Sequence, residues 1–365
     1  MRRNIPAVVA AGLCSALALT ACGSGEDLVS DQNVLRVGVI LPDTSSSPRW
    51  ESADRPLLEE EFRRFGIQAD VQNAGGDGSV FQVIADGMIA TDVDALLIAS
   101  VDAESGTEVI KNATASGIPV IDYDRLTVGG GAAYYVSFDN VGVGEAIGDG
   151  LVKCLDEKGV SPADGGVVEL NGSPTDNNAT LFKQGYDKAL KAAGYRVLAS
   201  SDVPDWDPIK AAALFKTIDG RYQGDYVGVV AANDNLGEAA INRLASKGQS
   251  RTIPVTGQDA SDAALQRLLL GTQCVTVYKS TAKLARTAAQ LTAKLISGDK
   301  AGADAFVNQT MKDPSTGAAI KAALLKPQAI QRGQVKDVVK DGGSTAQRVC
   351  TTKQLLRYCA KNGVR

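Results

Sequence analysis

Short β-branched strands alternate with amphipathic helices along this chain, and no other sequence feature restricts its fold as strongly. The run DALLIAS at 94–100 is almost continuously apolar, which is typical of a strand buried on both faces of a parallel sheet. Helical segments of about 10–15 residues between strands predict βαβ units and therefore parallel sheets. The first series of predicted strands covers 34–41, 69–73, 94–100, 118–122 and 134–138.

The alternation then starts a second time, after a short crossing segment at 138–140. The second series of predicted strands covers 166–171, 195–199, 226–231, 253–257 and 274–278. Predicted helices cover 51–65, 80–90, 105–116, 141–157, 177–193, 208–219, 235–247, 260–270 and 280–296. Two runs of about five strands predict an α/β protein with two doubly wound parallel-sheet lobes. The length of 365 residues agrees, because a domain typically takes about 100–200 residues.

The chain contains no histidine, and this count excludes several classes of catalytic and metal site. Serine–histidine and cysteine–histidine nucleophiles, histidine general bases and histidine metal ligands are all absent from the sequence. The 38 basic residues against 42 acidic ones give a net charge of -4, so we expect no nucleic-acid partner. We predict no metal and no cofactor for this chain.

The N-terminus has the composition of an export signal. A basic start precedes an apolar run at 7–21, and the sequence LTAC at 19–22 resembles a bacterial lipobox. The resemblance implies a signal peptide at 1–21, cleavage before Cys22 and lipid attachment to that cysteine. The alternative is an uncleaved anchor, but the apolar run is shorter than the ~20 residues that a membrane-spanning helix needs. Residues 22–33 are small and polar, and we expect them to form a tether.

Four cysteines remain in the expected mature chain after the signal and Cys22 are set aside. Export would place them in a compartment where disulfides form, and four cysteines allow three pairings. Cys350 and Cys359 are close in sequence, so we predict that they pair and that Cys154 pairs with Cys274. Four free buried thiols are the alternative.

Polar and aromatic side chains follow the predicted strands at their carboxyl ends, where open α/β sheets bind ligands. Both tryptophans of the chain are among them. The residues at these positions are Asp43, Arg49, Trp50, Asp122, Tyr123, Asp124, Arg125, Asn171, Asp176, Asn177, Asn178, Asp202, Asp205, Trp206, Asp207, Asn233, Asp234, Gln258, Asp259 and Lys279.

This set of side chains suits a neutral polyol. A hydroxyl group both donates and accepts, so carboxylates and amide oxygens can bind its proton while Arg, Lys and amide groups bind its lone pairs. The near balance of charge disfavours a phosphate or dicarboxylate ligand. The chain has no GxxxxGK[ST] motif, and we interpret Gly142, Gly144 and Gly148 as close packing at a helix start rather than a dinucleotide turn.

Several segments within about residues 34–340 resemble, in the same order along the chain, segments of the periplasmic D-xylose-binding proteins. These proteins are the ligand-capturing subunits of sugar ABC transporters. The segments are RW at 49–50, YDRL at 123–126, YVSFDN at 135–140, GSPTDNNATLF at 172–182, Trp206, AND at 232–234, GQDA at 257–260 and GTQCVTVYK at 271–279. The resemblance implies a type I periplasmic binding protein fold, in which two lobes are joined by a three-crossing hinge with the sugar between them.

The resemblance also implies lobe boundaries and site residues. An N-terminal lobe would take 34–137 plus 281–325, and a C-terminal lobe 141–278 plus 328–345, with a cysteine-containing tail at 346–365. The hinge crossings would lie near 137–140, 278–281 and 325–328. Sugar contacts are expected at Arg49, Asp124, Arg125, Asn178, Trp206, Asn233, Asp259 and Lys279, with Trp50 and Asn177 as neighbouring site residues. Trp206 would stack on the sugar ring.

The function that these observations predict is capture of a monosaccharide, most specifically D-xylose, outside the cytoplasm for an ABC importer. The protein would not be an enzyme, would act as a monomer beside its permease, and would meet the membrane only through lipidated Cys22. Alternatives are another aldose (glucose, galactose, ribose or arabinose) and a receptor that presents sugar to a sensor kinase or chemoreceptor. A glycosidase would need Asp124 and Asp259 to flank a glycosidic bond.

Overall fold

The computed structural model describes residues 34–365. The predicted signal peptide, the tether and the proposed lipidation site Cys22 lie outside the described residues. Strands and helices alternate through the described part, as the sequence predicts.

Most strands of the described chain belong to two sheets. The strands are β1 (Arg36–Leu41), β2 (Gln68–Asn73), β3 (Ala95–Ile98), β4 (Val120–Tyr123), β5 (Tyr134–Phe138), β6 (Gly166–Asn171), β7 (Val197–Asp202), β8 (Tyr226–Ala231), β9 (Thr276–Tyr278), β10 (Gln309–Lys312), β11 (Ala319–Leu325) and β12 (Gln328–Ile330). The first sheet has the order β10-β11-β5-β4-β3-β1-β2 and is parallel except for the edge strand β10. Strands β1, β3, β4 and β5 are buried almost throughout, which explains their continuous apolar runs.

Helices cover both sheets, and each sheet together with its helices forms one lobe of the fold. The helices are α1 (Arg55–Arg64), α2 (Gly78–Ala90), α3 (Ala103–Ala115), α4 (Asn140–Glu157), α5 (Asn177–Ala192), α6 (Pro208–Arg221), α7 (Asp234–Ala245), α8 (Asp262–Leu270), α9 (Thr281–Ile296), α10 (Lys300–Asp304), α11 (Val335–Lys340), α12 (Ala346–Val349) and α13 (Lys353–Asn362). We call the first sheet with α1–α3, α9 and α10 the first lobe. We call the remaining strands with α4–α8 and α11–α13 the second lobe.

The second lobe has a shorter parallel sheet than the sequence predicts. Strands β7-β6-β8 are parallel, and β9 pairs antiparallel with β12. The predicted strand at 253–257 is reduced to a single bridge, between Val229 and Val255. Pro254 explains the loss, because proline has no N–H to donate to a strand ladder. The segment at 253–257 still connects β8 to the chain that leads into β9. Val229 N of β8 donates to Pro254 O (3.0 Å), and Cys274 N, just before β9, donates to Val255 O (2.9 Å).

The chain passes between the lobes three times. It crosses at Asp139 between β5 and α4, at 279–280 between β9 and α9, and at 326–327 between β11 and β12. The predicted three-crossing hinge is therefore present. The strands of the first lobe come from both ends of the described chain, since β11 lies beside β5.

Helices α4 and α5 pack closely because glycines line their contact. A Cβ added at Gly144 would overlap the backbone carbonyl of Phe182, and one at Gly185 would overlap the backbone of Val141. The glycine pattern at the start of α4 is thus a packing surface, as the sequence interpretation holds. The close approach fixes α5, whose first turns reach the interface of the two lobes.

The C-terminal residues 346–365 form a packed part of the second lobe. Leu355, Cys359 and Val364 share a small core with Leu265 and Leu268 of α8. Cys350 is bonded to Cys359 across 9 residues of chain. The other disulfide joins Cys154 of α4 to Cys274, across 120 residues.

We predict that the two disulfides differ in their contribution to stability. A cross-link restricts the unfolded chain more when it closes a longer loop. Loops of 120 and 9 residues correspond to about 5 and about 2.5 kcal/mol in the chain-entropy model. The double variant Cys154→Ser/Cys274→Ser should therefore lose more unfolding free energy in urea than Cys350→Ser/Cys359→Ser.

Both double variants remove two thiols, so each controls for loss of the sulfur atoms in the other. An equal loss, or a larger loss for the 350–359 pair, would contradict the prediction.

Candidate functional site

A narrow cavity lies between the lobes, at the carboxyl ends of strands from both sheets. This is where open α/β sheets bind ligands. The lining residues are Ser46, Ser47, Arg49, Trp50, Asp124, Arg125, Asp176, Asn178, Phe182, Trp206, Asn233, Gln258, Asp259 and Lys279.

Nine of the ten residues selected from the sequence lie on this cavity: Arg49, Trp50, Asp124, Arg125, Asn178, Trp206, Asn233, Asp259 and Lys279. Asn177, the tenth, is not among the lining residues. Asn177 is the first residue of α5 and is half-buried. Successive helical residues are rotated by about 100°, so Asn178 reaches the cavity and its neighbour does not.

Five lining residues are not among those ten: Ser46, Ser47, Asp176, Phe182 and Gln258. Asp176 and Gln258 were among the polar residues that follow predicted strands, but they were not selected as sugar contacts. Ser46 and Ser47 lie in a long loop after β1, where no periodicity marks a side chain. Phe182 lies in the second turn of α5, so an apolar residue there reads as core.

Arg49 and Asp124 form the main ion pair of the first lobe. Arg49 Nη2 lies 2.7 Å from Asp124 Oδ2, and the side chains are only 11 % and 5 % exposed. The guanidinium of Arg49 also lies 4.1 Å from the ring centroid of Trp50, which places a cation over an aromatic face. Burial alone would raise the pKa of Asp124, but Arg49, Lys279 and Arg125 outweigh it and hold this pKa below its ordinary value. Asp124 is therefore an anionic acceptor.

Asp176 organises the second lobe's side of the cavity. It caps α5 by accepting from Asn178 N (2.9 Å), and its other oxygen accepts from Trp206 Nε1 (3.2 Å). The same carboxylate lies 3.2 Å from Arg125 Nε of the first lobe. Phe182 holds the Trp206 ring edge-on, with ring centroids 6.3 Å apart. The Asp176 carboxylate thus caps the start of α5, orients the Trp206 ring and contacts Arg125 of the first lobe.

Further contacts join the two lobes directly. Asn178 Nδ2 donates to the backbone oxygen of Asp124 (3.0 Å), and Ser47 Oγ donates to Asp259 Oδ2 (3.1 Å). Lys279 lies on a crossing, with its Nζ 3.8 Å from Asp124 and 3.4 Å from Asp259. The structure is therefore a closed form, in which both lobes contribute to one charged cluster.

Gln258 Oε1 is buried without a hydrogen-bond donor among residues 34–365, whereas Asp124 Oδ2 and Asp259 Oδ1 have cationic partners, Arg49 at 2.7 Å and Lys279 at 3.4 Å. Buried polar atoms usually have such partners, because leaving one unsatisfied costs about 1–3 kcal/mol. A ligand with several hydroxyl groups would supply a donor to Gln258 and further donors to the two carboxylates.

The charges that line the cavity balance. Three cations (Arg49, Arg125 and Lys279) face three carboxylates (Asp124, Asp176 and Asp259). A balanced set favours a neutral ligand that donates and accepts at many points. Within the described residues, no cluster of three or more Asp, Glu, Cys or His side chains could hold a metal ion.

Left-handed backbone conformations concentrate at this site. In the described chain, six non-glycine residues have φ between 52° and 97°, and five of them are Asp124, Asp205, Trp206, Asp259 and Ala260. Such conformations cost about 1–3 kcal/mol for most residues and persist only where the surrounding structure fixes them. The side chains of Asp124, Trp206 and Asp259 are thereby aimed before any ligand arrives.

Comparison with known proteins agrees with this geometry. Residues 37–300 match the family model described as "Periplasmic binding protein domain". The chain belongs to the periplasmic binding protein family. One relative, the D-xylose-binding periplasmic protein of Escherichia coli, is 31% identical over 335 residues, which is 90% of this chain and 95% of the relative. The D-xylose-binding periplasmic protein of Haemophilus influenzae is 33% identical over 320 residues, or 86% of this chain and 92% of the relative.

Solved structures of the family share the fold. An ABC transporter solute binding protein from Clostridium phytofermentans with bound β-D-glucose has a TM-score of 0.77 and 25% identity, covering 86% of this chain and 99% of that one. The myo-inositol binding protein of Caulobacter has a TM-score of 0.71 and 23% identity, covering 87% of this chain and all (100%) of that one.

We predict that Gly172→Ala displaces the indole ring of Trp206. An added Cβ at Gly172 would overlap the six-membered part of that ring. Overpacking of this kind costs about 1–3 kcal/mol of unfolding free energy. In a Trp50→Phe background, the emission of Trp206 should shift to the red as the ring becomes more exposed.

Gly220→Ala is the matched control, because no atom lies within 4 Å of a Cβ added at that position in α6. It should leave the emission near the parent value and raise the free energy of unfolding slightly, by about 0.4–1 kcal/mol, because alanine costs less conformational entropy than glycine in a helix. Unchanged emission in Gly172→Ala would contradict the predicted displacement.

Proposed function

We propose that this protein binds a free monosaccharide between its lobes, with D-xylose as the first candidate, and delivers it to an ABC importer. The observation that carries the proposal is the closed interlobe cavity lined by three cations, three carboxylates and the unpaired acceptor Gln258 Oε1. The D-xylose-binding relatives, at 31% and 33% identity over most of the chain, support the choice of sugar.

A pentopyranose suits the chemistry of this cavity. It has about ten heavy atoms, and a ligand of that size can reach about -15 kcal/mol at best, so micromolar or tighter binding near -8 kcal/mol is attainable. Hydrogen bonds to charged groups each contribute about 1.5–3 kcal/mol, and the cavity offers six charged side chains.

Each side chain has a defined role in the proposal. Trp206 covers one apolar face of the ring, because Asp176 and Phe182 hold its indole at the cavity. The remaining contacts are polar. Acceptors for sugar hydroxyls are Asp124, Gln258 and Asp259, and donors are Arg49, Arg125, Lys279, Asn178 and Asn233.

Hinge closure is the proposed mechanism, and no chemical step takes place. The ligand binds more tightly to the form in which both lobes surround it, and this difference shifts the population toward the closed form. The three crossings at 139, 279–280 and 326–327 are the segments that would bend. The closed, liganded protein then docks as a monomer on its permease.

Another aldose is the second candidate ligand. The Clostridium phytofermentans protein, which is 25% identical and has a TM-score of 0.77, contains β-D-glucose. A hexopyranose adds one hydroxymethyl group, so the polar groups of the cavity would serve either sugar.

We predict that D-xylose stabilises the protein lacking residues 1–22. A ligand at 100 times its dissociation constant adds about 2.7 kcal/mol to the free energy of unfolding. With an unfolding entropy of about 2.1 cal/mol/K per residue, a chain of this length should melt about 4 °C higher. A thermal-shift panel of D-xylose, D-glucose, D-galactose, D-ribose, L-arabinose, xylitol and myo-inositol measures the ranking.

Trp206→Ala shows whether the shift arises at this cavity, since it should abolish the stabilisation while the variant stays folded by circular dichroism. A shift with glucose larger than with xylose would replace the first candidate by the second. No shift with any of these compounds would overturn the proposal.

We also propose that lipidated Cys22 anchors the protein to the outer face of the cell membrane. The described helices include none that is long and apolar enough to cross a membrane. The lipobox-like sequence LTAC at 19–22 supports attachment through lipid.

Cys22→Ser should therefore release the protein. In a bacterial host that processes lipoproteins, the parent protein should partition into the detergent phase of Triton X-114 and incorporate labelled palmitate. The variant should do neither. Cys350→Ser/Cys359→Ser, which leaves Cys22 in place, should behave as the parent does, and label in the Cys22→Ser variant would contradict the anchor.

A further inference from the structure

A single π-helical turn, Trp50–Asp54, follows the loop after β1 and leads into α1. Its hydrogen bond runs from Arg55 N to Trp50 O, five residues back. Turns of this kind are rare and are frequently found at functional sites. They change which side chains share a face. In an α-helix, residues five apart are about 1.4 turns apart and face different directions, whereas in a π turn they are about one turn apart.

The residues brought together by this spacing are Arg49 and Asp54. Arg49 Nη1 donates to Asp54 Oδ1 at 3.2 Å. Asp54 is fully buried and is not among the residues that line the cavity. Tyr123 of β4 donates through its hydroxyl to the same Oδ1 at 2.6 Å. Asp54 thus connects the π turn to the central sheet beneath the cavity floor.

Arg49 needs such a support because its guanidinium is shared. One terminal nitrogen meets Asp54 and the other meets Asp124, 2.7 Å away, whose carboxylate lines the cavity. The plane of the guanidinium is also stacked on Trp50. Without Asp54, Asp124 would be the only carboxylate within ion-pair distance of Arg49 among the described residues.

We propose that Asp54 is a positioning residue for ligand binding, and that the π turn serves to place it against Arg49. Asp54 holds the Arg49 guanidinium in a fixed orientation. In that orientation Arg49 can still donate a hydrogen bond to a sugar hydroxyl, and Asp124 can still accept one. The inference rests on the proposed function, because Arg49 is placed among the sugar donors there.

The ion pair between Arg49 and Asp54 depends on the charge of Asp54, so ligand affinity should depend on pH. Burial raises the pKa of Asp54 to about 6, against the opposing effects of Arg49 and the Tyr123 hydroxyl. Asp124 and Lys279 are the other charged groups that act on it, and they oppose each other. As the pH falls through about 6, Asp54 gains a proton and ceases to be an anionic partner for Arg49. Ligand affinity should fall over the same interval.

The test compares D54N with the parent protein, both lacking residues 1–22, by calorimetric titration with the monosaccharide that binds best in the panel above. At pH 7.5, D54N should bind about 10-fold more weakly. At pH 5, where the parent is itself mostly protonated at Asp54, the ratio of the two dissociation constants should fall to about 2 or less. Other buried acids, such as Asp122 and Asp234, are present in both proteins and cancel in this ratio.

D219N is the matched control. Asp219 is also buried, accepts from Tyr226 OH (2.8 Å) and from Arg243 Nε (2.7 Å), and lies away from the cavity. It should lower the free energy of unfolding and leave the affinity unchanged at both pH values. Y123F, which keeps the ring and removes one donor to Asp54, should weaken binding about 3-fold at pH 7.5.

Two results would overturn the inference and leave the proposed function intact. One is sugar binding by the parent with a D54N ratio near 1 at pH 7.5. The other is a ratio that stays near 10 at both pH values, which would mean a structural role without the charge dependence. A parent protein that binds no monosaccharide would overturn the proposed function and this inference together.

Discussion

Two parallel sheets that face each other with their carboxyl ends determine where everything else in this structure lies. The loops at those ends can carry polar side chains, because they are released from the apolar packing that buries β1, β3, β4 and β5 on both faces. The three crossings keep the two edges opposed. The charged cluster between the lobes follows from that opposition, since each lobe supplies charges that the other neutralises.

The cluster is stable only as a set. Asp124, Arg49 and Lys279 are nearly buried, and a single charge left without a partner at such depth would be costly. Each member has at least one opposite charge within 4 Å, and Lys279 contacts a carboxylate from each lobe. The polar groups of the cavity therefore hold one another in place while keeping acceptors such as Gln258 Oε1 available to a ligand.

Much of the fold and most of the cavity could be predicted from the sequence, because both depend on short-range patterns. Three predicted strands, at 134–138, 166–171 and 226–231, match the structure at both ends. Asn177 was selected beside Asn178 but does not line the cavity, since sequence adjacency does not say which of two neighbouring helical residues faces a cleft. Strands β10 and β12 were not predicted, because their sequence patterns are mixed or short. A strand was predicted at 253–257 from its apolar residues, but Pro254 interrupts it.

The features that the sequence could not reveal depend on long-range packing. Phe182 lies on the cavity because the glycines of α4 and α5 allow a close approach, which no local pattern encodes. Asp54 becomes important only through a single backbone hydrogen bond of unusual span and a tyrosine 69 residues away. Contacts of this kind require coordinates.

The position of β11 beside β5 has a consequence for how the chain can be made. Strand β11 ends at Leu325 and pairs with a strand that ends at Phe138, so the first sheet lacks that neighbour until nearly the whole polypeptide has emerged. Chains are synthesised from the N-terminus, and pairings between distant segments form slowly. The nascent chain must therefore remain incompletely folded for most of its synthesis, which is the condition under which a polypeptide can still be threaded through a narrow export pore.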